Sequence, residues 1–310
     1  MFHTYKKIGA ALIAVLLIAA LAACGNSSDT KGSSQKEETV TYKAENGNIK
    51  IPKHPKRVVV MADDYYGDFK QLGINVVGAP ENVFKNPYYK GKTKGVTNIG
   101  DGTSVEKILG LKPDLIVVWT NYKDIEKLEK IAPTIAIKYG KLNNIDQFKE
   151  FAKMTGTEDK ADKWLAEWDK KTAAAKTKVQ KAVGSKTISI MQTKSKDIYV
   201  FGKDFGRGGS IIYDKLGLNA TKLTKEKAIN QGPGYASISL EKLPDFAGDY
   251  IFMGPWQAGG DTGVLDSPIW KNLDAVKQKH VYHIDPIGFY FSDPISLEGQ
   301  LDYMTKSLTK

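Results

Sequence analysis

A helical period of apolar positions runs through Thr157–Gly184, TEDKADKWLAEWDKKTAAAKTKVQKAVG. Ala161, Trp164, Leu165, Trp168, Thr172, Ala175, Val179 and Ala182 recur at i, i+3, i+4, i+7 spacing and share one face. Lys and Asp fill the other. Thr157 suits the N-cap, Glu158 and Asp159 the positive first turn, and Gly184 the C-terminal stop. At 1.5 Å per residue this helix would be about 40 Å long. It could be an ordinary surface helix or a rigid strut joining two α/β lobes, and its flanks favour the strut.

Before the helix, short apolar runs alternate with helical segments. Arg57–Met61, Ile74–Val77, Leu115–Trp119 and Thr134–Tyr139 read as strands; Gly67–Leu72, Ser104–Leu111 and Ile125–Ile131 read as helices. The alternation predicts parallel βαβ units. After the helix the grammar repeats. Thr187–Met191, Ile198–Phe201, Tyr250–Met253 and Val281–Ile284 are predicted strands, with helical segments at Gly208–Leu216 and Leu240–Phe246. Two echoes fall in the same order on each side. Asp68–Asn75 (DFKQLGIN) parallels Ile212–Asn219 (IYDKLGLN), and Glu106 with Asp114 parallels Glu241 with Asp249 at equal separation. Two related lobes follow, and the cleft between them is the expected ligand site.

The N-terminus adds a different element. A basic start with Lys6 and Lys7, an apolar run from Ile8 to Ala20, and Leu21-Ala-Ala-Cys24 read as an export signal over residues 1–23. The apolar run is short for a membrane span. Residues 24–45 are read as a polar tether, 46–156 as the first lobe, 157–184 as the connecting helix and 185–310 as the second lobe. Cys24 is the only cysteine, so the exported body has neither a disulfide nor a thiol nucleophile. The formal charge is +10, and losing Lys6 and Lys7 with the signal lowers it by two. The remaining lysines are scattered without interleaved aromatics, which argues against nucleic acid as a partner.

Enzymatic signatures are missing from the sequence. It has no Gly-x-Ser-x-Gly, no phosphate-binding lysine loop and no Gly-x-Gly-x-x-Gly after a strand. Asp63-Asp64 reads as a solvated turn at a strand end. His54, His280 and His283 show no metal-ligand spacing, and His280 and His283 would point to opposite faces of a strand. The aromatics say more. Trp119, Tyr139 and Trp256 fall at the C-terminal ends of predicted strands, where α/β sheets present ligands. Tyr199, Phe205 and Arg207 lie in or beside a Gly-rich stretch, and Tyr290 follows Gly288 in a loop. Together they describe an aromatic-walled pocket with one fixed guanidinium.

These features resemble the ferric hydroxamate siderophore-binding lipoproteins of Gram-positive ABC importers. The likeness is carried by Ile51–Arg57 (IPKHPKR), Ile99–Gly102 (IGDG), Lys112–Ile116 (KPDLI), Gly202–Gly209 (GKDFGRGG), Ala247–Ile251 (AGDYI) and Ser292-Asp-Pro294. KPDLI supports only the wider siderophore, haem and cobalamin superfamily, whereas the Gly-x-x-aromatic-Gly-Arg-Gly-Gly segment belongs to the hydroxamate branch. The resemblance implies two Rossmann-like lobes joined by a single long helix, with the ferric siderophore in a shallow cleft. It implies that Arg207 hydrogen-bonds the hydroxamate oxygens and that Tyr139, Tyr199, Phe205 and Tyr290 form the ring wall. Phe205 and Tyr290 stand where the family often has tryptophan, and Trp119 and Trp256 would compensate; Tyr65 is a further candidate on the first lobe. Glu106 and Glu241 match the family's permease-docking glutamates, and Cys24 matches its lipidated cysteine. The expected protein is a monomeric, lipid-anchored, extracytoplasmic binding protein serving a permease and its ATPase. It would carry no cofactor, supply no ligand to the iron and catalyse no reaction. The alternative is the same fold serving a ferric catecholate, haem or cobalamin, which several basic residues converging on the cleft would favour.

Overall fold

The computed structural model describes residues 38–310 except positions 103 and 261. The signal segment, Cys24 and the tether up to residue 37 lie outside the described residues. The first element is an antiparallel hairpin of β1 (Thr39–Ala44) and β2 (Gly47–Pro52). It corrects the last part of the 24–45 tether. In TVTYKA the half-buried Val40, Tyr42 and Ala44 alternate with exposed residues, and Glu45-Asn46 turns the chain ahead of Gly47 at φ 121°. The Asn46 side chain pins this turn to the first lobe, accepting from Ala136 N–H at 2.9 Å and donating to Thr134 O at 3.0 Å.

In that lobe β3 (Val58–Val60), β4 (Val76–Ala79), β5 (Thr97–Asn98), β6 (Leu115–Trp119) and β7 (Thr134–Ile137) form a parallel sheet. Its order is β5-β4-β3-β6-β7. Its central strands are buried on both faces, which is why they read as continuous apolar runs. The second lobe contains β8 (Ile188–Lys194), β9 (Asp197–Phe201), β10 (Tyr235–Ile238), β11 (Tyr250–Pro255) and β12 (Val281–His283), in the order β10-β9-β8-β11-β12. Both sheets therefore place the first strand centrally, the next two to one side and the last two to the other.

The second sheet departs from the all-parallel expectation. β11 is parallel to β8 and β12, but β9 is antiparallel to both β8 and β10. Only Ser195-Lys196 separates β8 from β9, with Ser195 at φ 55°. Two residues close a hairpin and cannot make a parallel crossover.

The connecting helix spans Glu158–Val183 and buries Ala161, Trp164, Trp168, Thr172, Ala175, Val179 and Val183. Two details differ from the sequence reading. Ala182 is exposed, Val183 taking the inward position, and the Thr157 hydroxyl meets Thr155 Oγ1 at 2.9 Å instead of capping the helix. The sequence echoes acquire a physical basis here. Near one end of the helix Lys160 Nζ donates to Leu72 O at 2.8 Å; near the other, Gln180 Nε2 donates to Leu216 O at 3.0 Å. Each carbonyl precedes a left-handed glycine, Gly73 or Gly217, which ends its short helix. Asp114, leading into β6, accepts from the Lys56 and Arg57 N–H groups at 2.6 and 2.9 Å, just before β3. Asp249, leading into β11, accepts from Thr187 N–H at 2.7 Å, just before β8. The same carboxylate fastens the same pair of strands in each lobe.

A C-terminal helix, Pro294–Leu308, was not anticipated from the sequence. It packs on the connecting helix and on the first-lobe helix Tyr66–Gln71, so the second half of the chain reaches back into the first lobe. Asp293 caps it, Oδ1 accepting from Ile295 and Ser296 N–H at 3.0 and 3.1 Å, while Oδ2 accepts from Tyr89 in the first lobe at 2.6 Å. One apolar core runs from the first lobe along the connecting helix into the second, with separate cores under the outer face of each sheet.

Candidate binding site

The lobes enclose a cleft of about 720 Å³. Tyr65 and Tyr139 line it from the first lobe, Phe205 and Tyr290 from the second half, and Trp168 from the connecting helix. Tyr139 follows β7 and is 58% exposed, whereas Tyr65 is 7% exposed.

Not all the expected rings border the opening. Trp119 packs edge-on behind Tyr139, with centroids 6.4 Å apart. Tyr199 and Trp256 form a second layer behind Phe205: Tyr199 lies 4.8 Å from Trp256, and Phe205 lies 6.2 Å from it. Tyr235 on β10, unmarked in the sequence reading, joins this layer 4.8 Å from Phe205. The wall is thus two rings thick, which fixes the orientation of the front rings.

Arg207 lies in the deeper layer and is 4% exposed. Its guanidinium carbon sits 5.0 Å from the Tyr290 centroid, 5.2 Å from Trp256 and 5.9 Å from Phe201. Its Nε and Nη1 have no hydrogen-bond partner among the described residues. The Gly-rich segment explains how the backbone delivers it there. Gly206, Arg207 and Gly208 take φ values of 76°, 56° and 83°, a run that L side chains resist. A Cβ at Gly209 would come within 1.8 Å of Gly202 O, and one at Gly208 within 2.3 Å of Met304 Cε. The glycines let the loop fold tightly on itself and on the C-terminal helix, leaving Arg207 as its inward side chain.

Asp63-Asp64 is not a solvated turn. Asp63 is 4% exposed and accepts from Asn82 Nδ2 at 3.0 Å, while Asp64 borders the cleft. Burial and the neighbouring Asp63 hold the Asp64 carboxyl well above the usual range, with Arg207 acting in the opposite direction. The sequence reading also missed Asp68 and Gln147, both lining the cleft. The available signal was the i, i+4 spacing of Asp64 and Asp68 in DDYYGD, a segment otherwise apolar enough to be buried. Lys203 and Lys215 reach the rim, but each has an acidic neighbour, Asp214 at 3.9 Å and Asp169 at 3.1 Å.

Glu106 and Glu241 stand exposed in the first turns of short helices, outside the cleft lining. Among the described residues no group of three or more His, Cys, Asp or Glu side chains could hold a metal ion. His280 stacks on Tyr250 with centroids 4.3 Å apart. No helix of the described residues is long and apolar enough to cross a membrane.

A family model described as periplasmic binding protein matches residues 58–287. The chain belongs to the periplasmic binding protein family. Within that family it is 78% identical over 315 residues to the iron(3+)-hydroxamate-binding protein FhuD of Bacillus subtilis, covering 100% of both chains. It also matches the crystal structure of a FhuD-fold periplasmic binding protein component of a Fep/Fec-like ferrichrome ABC transporter from Bacillus subtilis. That match has a TM-score of 0.85 at 81% identity and covers 87% of this chain and 100% of the other. FhuD2 from Staphylococcus aureus with bound ferrioxamine B matches with a TM-score of 0.75 at 34% identity, covering 82% and 98%. Periplasmic binding proteins serve transport, and in this one rings line the cleft with the arginine one layer behind them.

Proposed function

We propose that this protein captures ferric hydroxamate siderophores in the inter-lobe cleft and delivers them to an ABC importer, catalysing no reaction. The observation that carries the reading is Arg207, a buried guanidinium with unpartnered donors behind an aromatic wall. In a ferric trihydroxamate the siderophore oxygens already satisfy the iron, which is cargo. The protein need supply only ring area and a planar donor toward the hydroxamate oxygens. The rings in contact would be Phe205, Tyr290, Tyr139 and Tyr65, with Tyr199, Trp256 and Trp119 supporting them.

Charge favours this reading over a catecholate complex, which carries about three negative charges. The two lysines at the rim are each matched by an acid, Lys203 by Asp214 and Lys215 by Asp169, and they are the only basic side chains in the lining among the described residues. A trianion would find no unmatched cation in that lining to offset its charge. The domain division at 157–184, lipidation of Cys24, residence on the extracytoplasmic face, a monomeric state, and docking of Glu106 and Glu241 on a permease with its ATPase complete the proposal.

The test is tryptophan fluorescence titration of the body from Gly25 onward with ferrioxamine, a ferric tris-catecholate and haemin in parallel. Saturable quenching by ferrioxamine alone, weakened in Arg207→Ala, is expected. Preference for the catecholate or haemin would overturn the hydroxamate assignment.

A further inference from the structure

Three side chains that line the cleft take no part in the ring-and-arginine scheme. Asp68 comes from the Tyr66–Gln71 helix, Gln147 from the helix Asn144–Thr155 and Trp168 from the connecting helix. The middle helix packs against both of the others. All three residues line the cleft, yet they are only 3%, 6% and 2% exposed. Among the described residues, the Trp168 indole N–H has no hydrogen-bond partner, and neither the Asp68 carboxyl nor the Gln147 amide bonds to another residue.

Polar groups buried to this degree normally find partners within the protein. All three line the same cavity, from three helices, and add buried polar groups that neither the rings nor Arg207 satisfies. Their chemistry is specific. Besides burial, the carboxyls of Asp293 and Asp64 disfavour charge on Asp68, so a charge there meets like charge from the protein. Arg207 offsets Asp64 and not Asp68. Gln147 offers a carbonyl acceptor, and Trp168 can meet a cation through its ring face, its N–H being a donor that an ammonium does not satisfy.

We infer that Asp68, Gln147 and Trp168 form a subsite for a protonated amine, reading the ammonium end of a linear ferric hydroxamate. This rests on the hydroxamate reading above and deepens it. The ammonium would donate to the Asp68 carboxylate and the Gln147 carbonyl, where an uncharged acyl end would bring no compensating charge. Burial and the neighbouring carboxyls hold the Asp68 acid well above its usual range, and an arriving cation reverses that shift.

The experiment titrates the intact body with two probes, ferrioxamine B with its free terminal amine and the same complex N-acetylated at that amine. Wild type, Asp68→Asn and Gln147→Leu are compared, with thermal unfolding as the folding control. The readout is the ratio of the two dissociation constants within each variant, so an affinity loss common to both probes cancels. Wild type should favour the free amine about tenfold or more, the scale of one charge-assisted hydrogen bond. That ratio should fall below about twofold in Asp68→Asn and shrink in Gln147→Leu. Equal binding of the two probes by wild type, or a preference that survives Asp68→Asn, overturns the subsite while leaving the hydroxamate reading intact. Binding of neither probe overturns both.

Discussion

The Arg207 guanidinium lies 5.0 Å from the ring centroid of Tyr290, and Tyr290 is the ring that faces the cleft. The strongest donor in the site therefore sits one layer behind its surface. Burial lowers the guanidinium pKa. Burial likewise raises the Tyr290 phenol far above its usual range, so the ring stays neutral and able to cover the cation.

Arg207→Lys should be almost as damaging as Arg207→Ala. Lysine keeps the charge but loses the planar fork and the ring stacking that holds it. Affinity for ferrioxamine should fall about tenfold to a hundredfold in both variants, the span of one or two charge-assisted contacts. Equilibrium titration measures it, and a lysine variant with wild-type affinity would show that charge alone suffices.

Asp68 should make stability depend on pH in a defined direction. A carboxyl whose folded-state pKa is raised binds its proton more tightly in the folded chain. Its contribution is fully present below the unfolded value near about 4 and is lost as pH rises through the folded value. Asp68→Asn is neutral throughout. Its thermal midpoint relative to wild type should therefore be higher at pH 8 than at pH 4. An offset that does not change between the two pH values would refute this.

The architecture was legible because periodicity and local signals agree with it. The connecting helix declared itself through its apolar stripe, and the two lobes through DFKQLGIN with IYDKLGLN and Asp114 with Asp249. What the sequence concealed was decided by tertiary packing. Nothing in residue type distinguishes Phe205 in the front layer from Trp256 behind it. Asp68, Gln147 and Trp168 line one cleft only because three helices pack together. The β8–β9 hairpin was missed because Ser195-Lys196 lacks the glycine that usually marks a two-residue turn, and Asp63-Asp64 looked solvated because adjacent acids seldom are buried.

Docking on a permease makes a separable prediction. Glu106 and Glu241 occupy equivalent positions ahead of Asp114 and Asp249, are exposed, and lie outside the cleft lining. Leu109, one turn from Glu106, is 58% exposed. Replacing both glutamates with alanine should abolish siderophore uptake by cells while leaving ferrioxamine affinity within about twofold. Uptake at the wild-type rate would exclude these glutamates as docking contacts.

The contact between Gly67 and Asp293 should control how far the lobes can move. A Cβ on Gly67 would lie 1.7 Å from Asp293 Oδ1, and Asp293 Oδ2 accepts the buried Tyr89 hydroxyl at 2.6 Å. Next to it Asn86 Nδ2 donates to Ser296 Oγ at 3.0 Å, and Trp164 Nε1 on the connecting helix donates to Glu298 Oε1 at 2.6 Å. The C-terminal helix is thus fastened both to the first lobe and to the connecting helix, adding a non-covalent bridge beside the covalent one. Two bridges of regular helix leave little hinge, since hinges need loop residues that absorb large φ/ψ changes. Ligand binding should accordingly produce almost no change in the radius of gyration measured by solution scattering. Asp293→Ala removes the cap and strands the Tyr89 hydroxyl, which together should cost about 2–4 kcal/mol in denaturant unfolding. The same variant should enlarge the ligand-dependent compaction. A large compaction in wild type, or one unchanged in Asp293→Ala, would mean that the C-terminal helix does not brace the lobes.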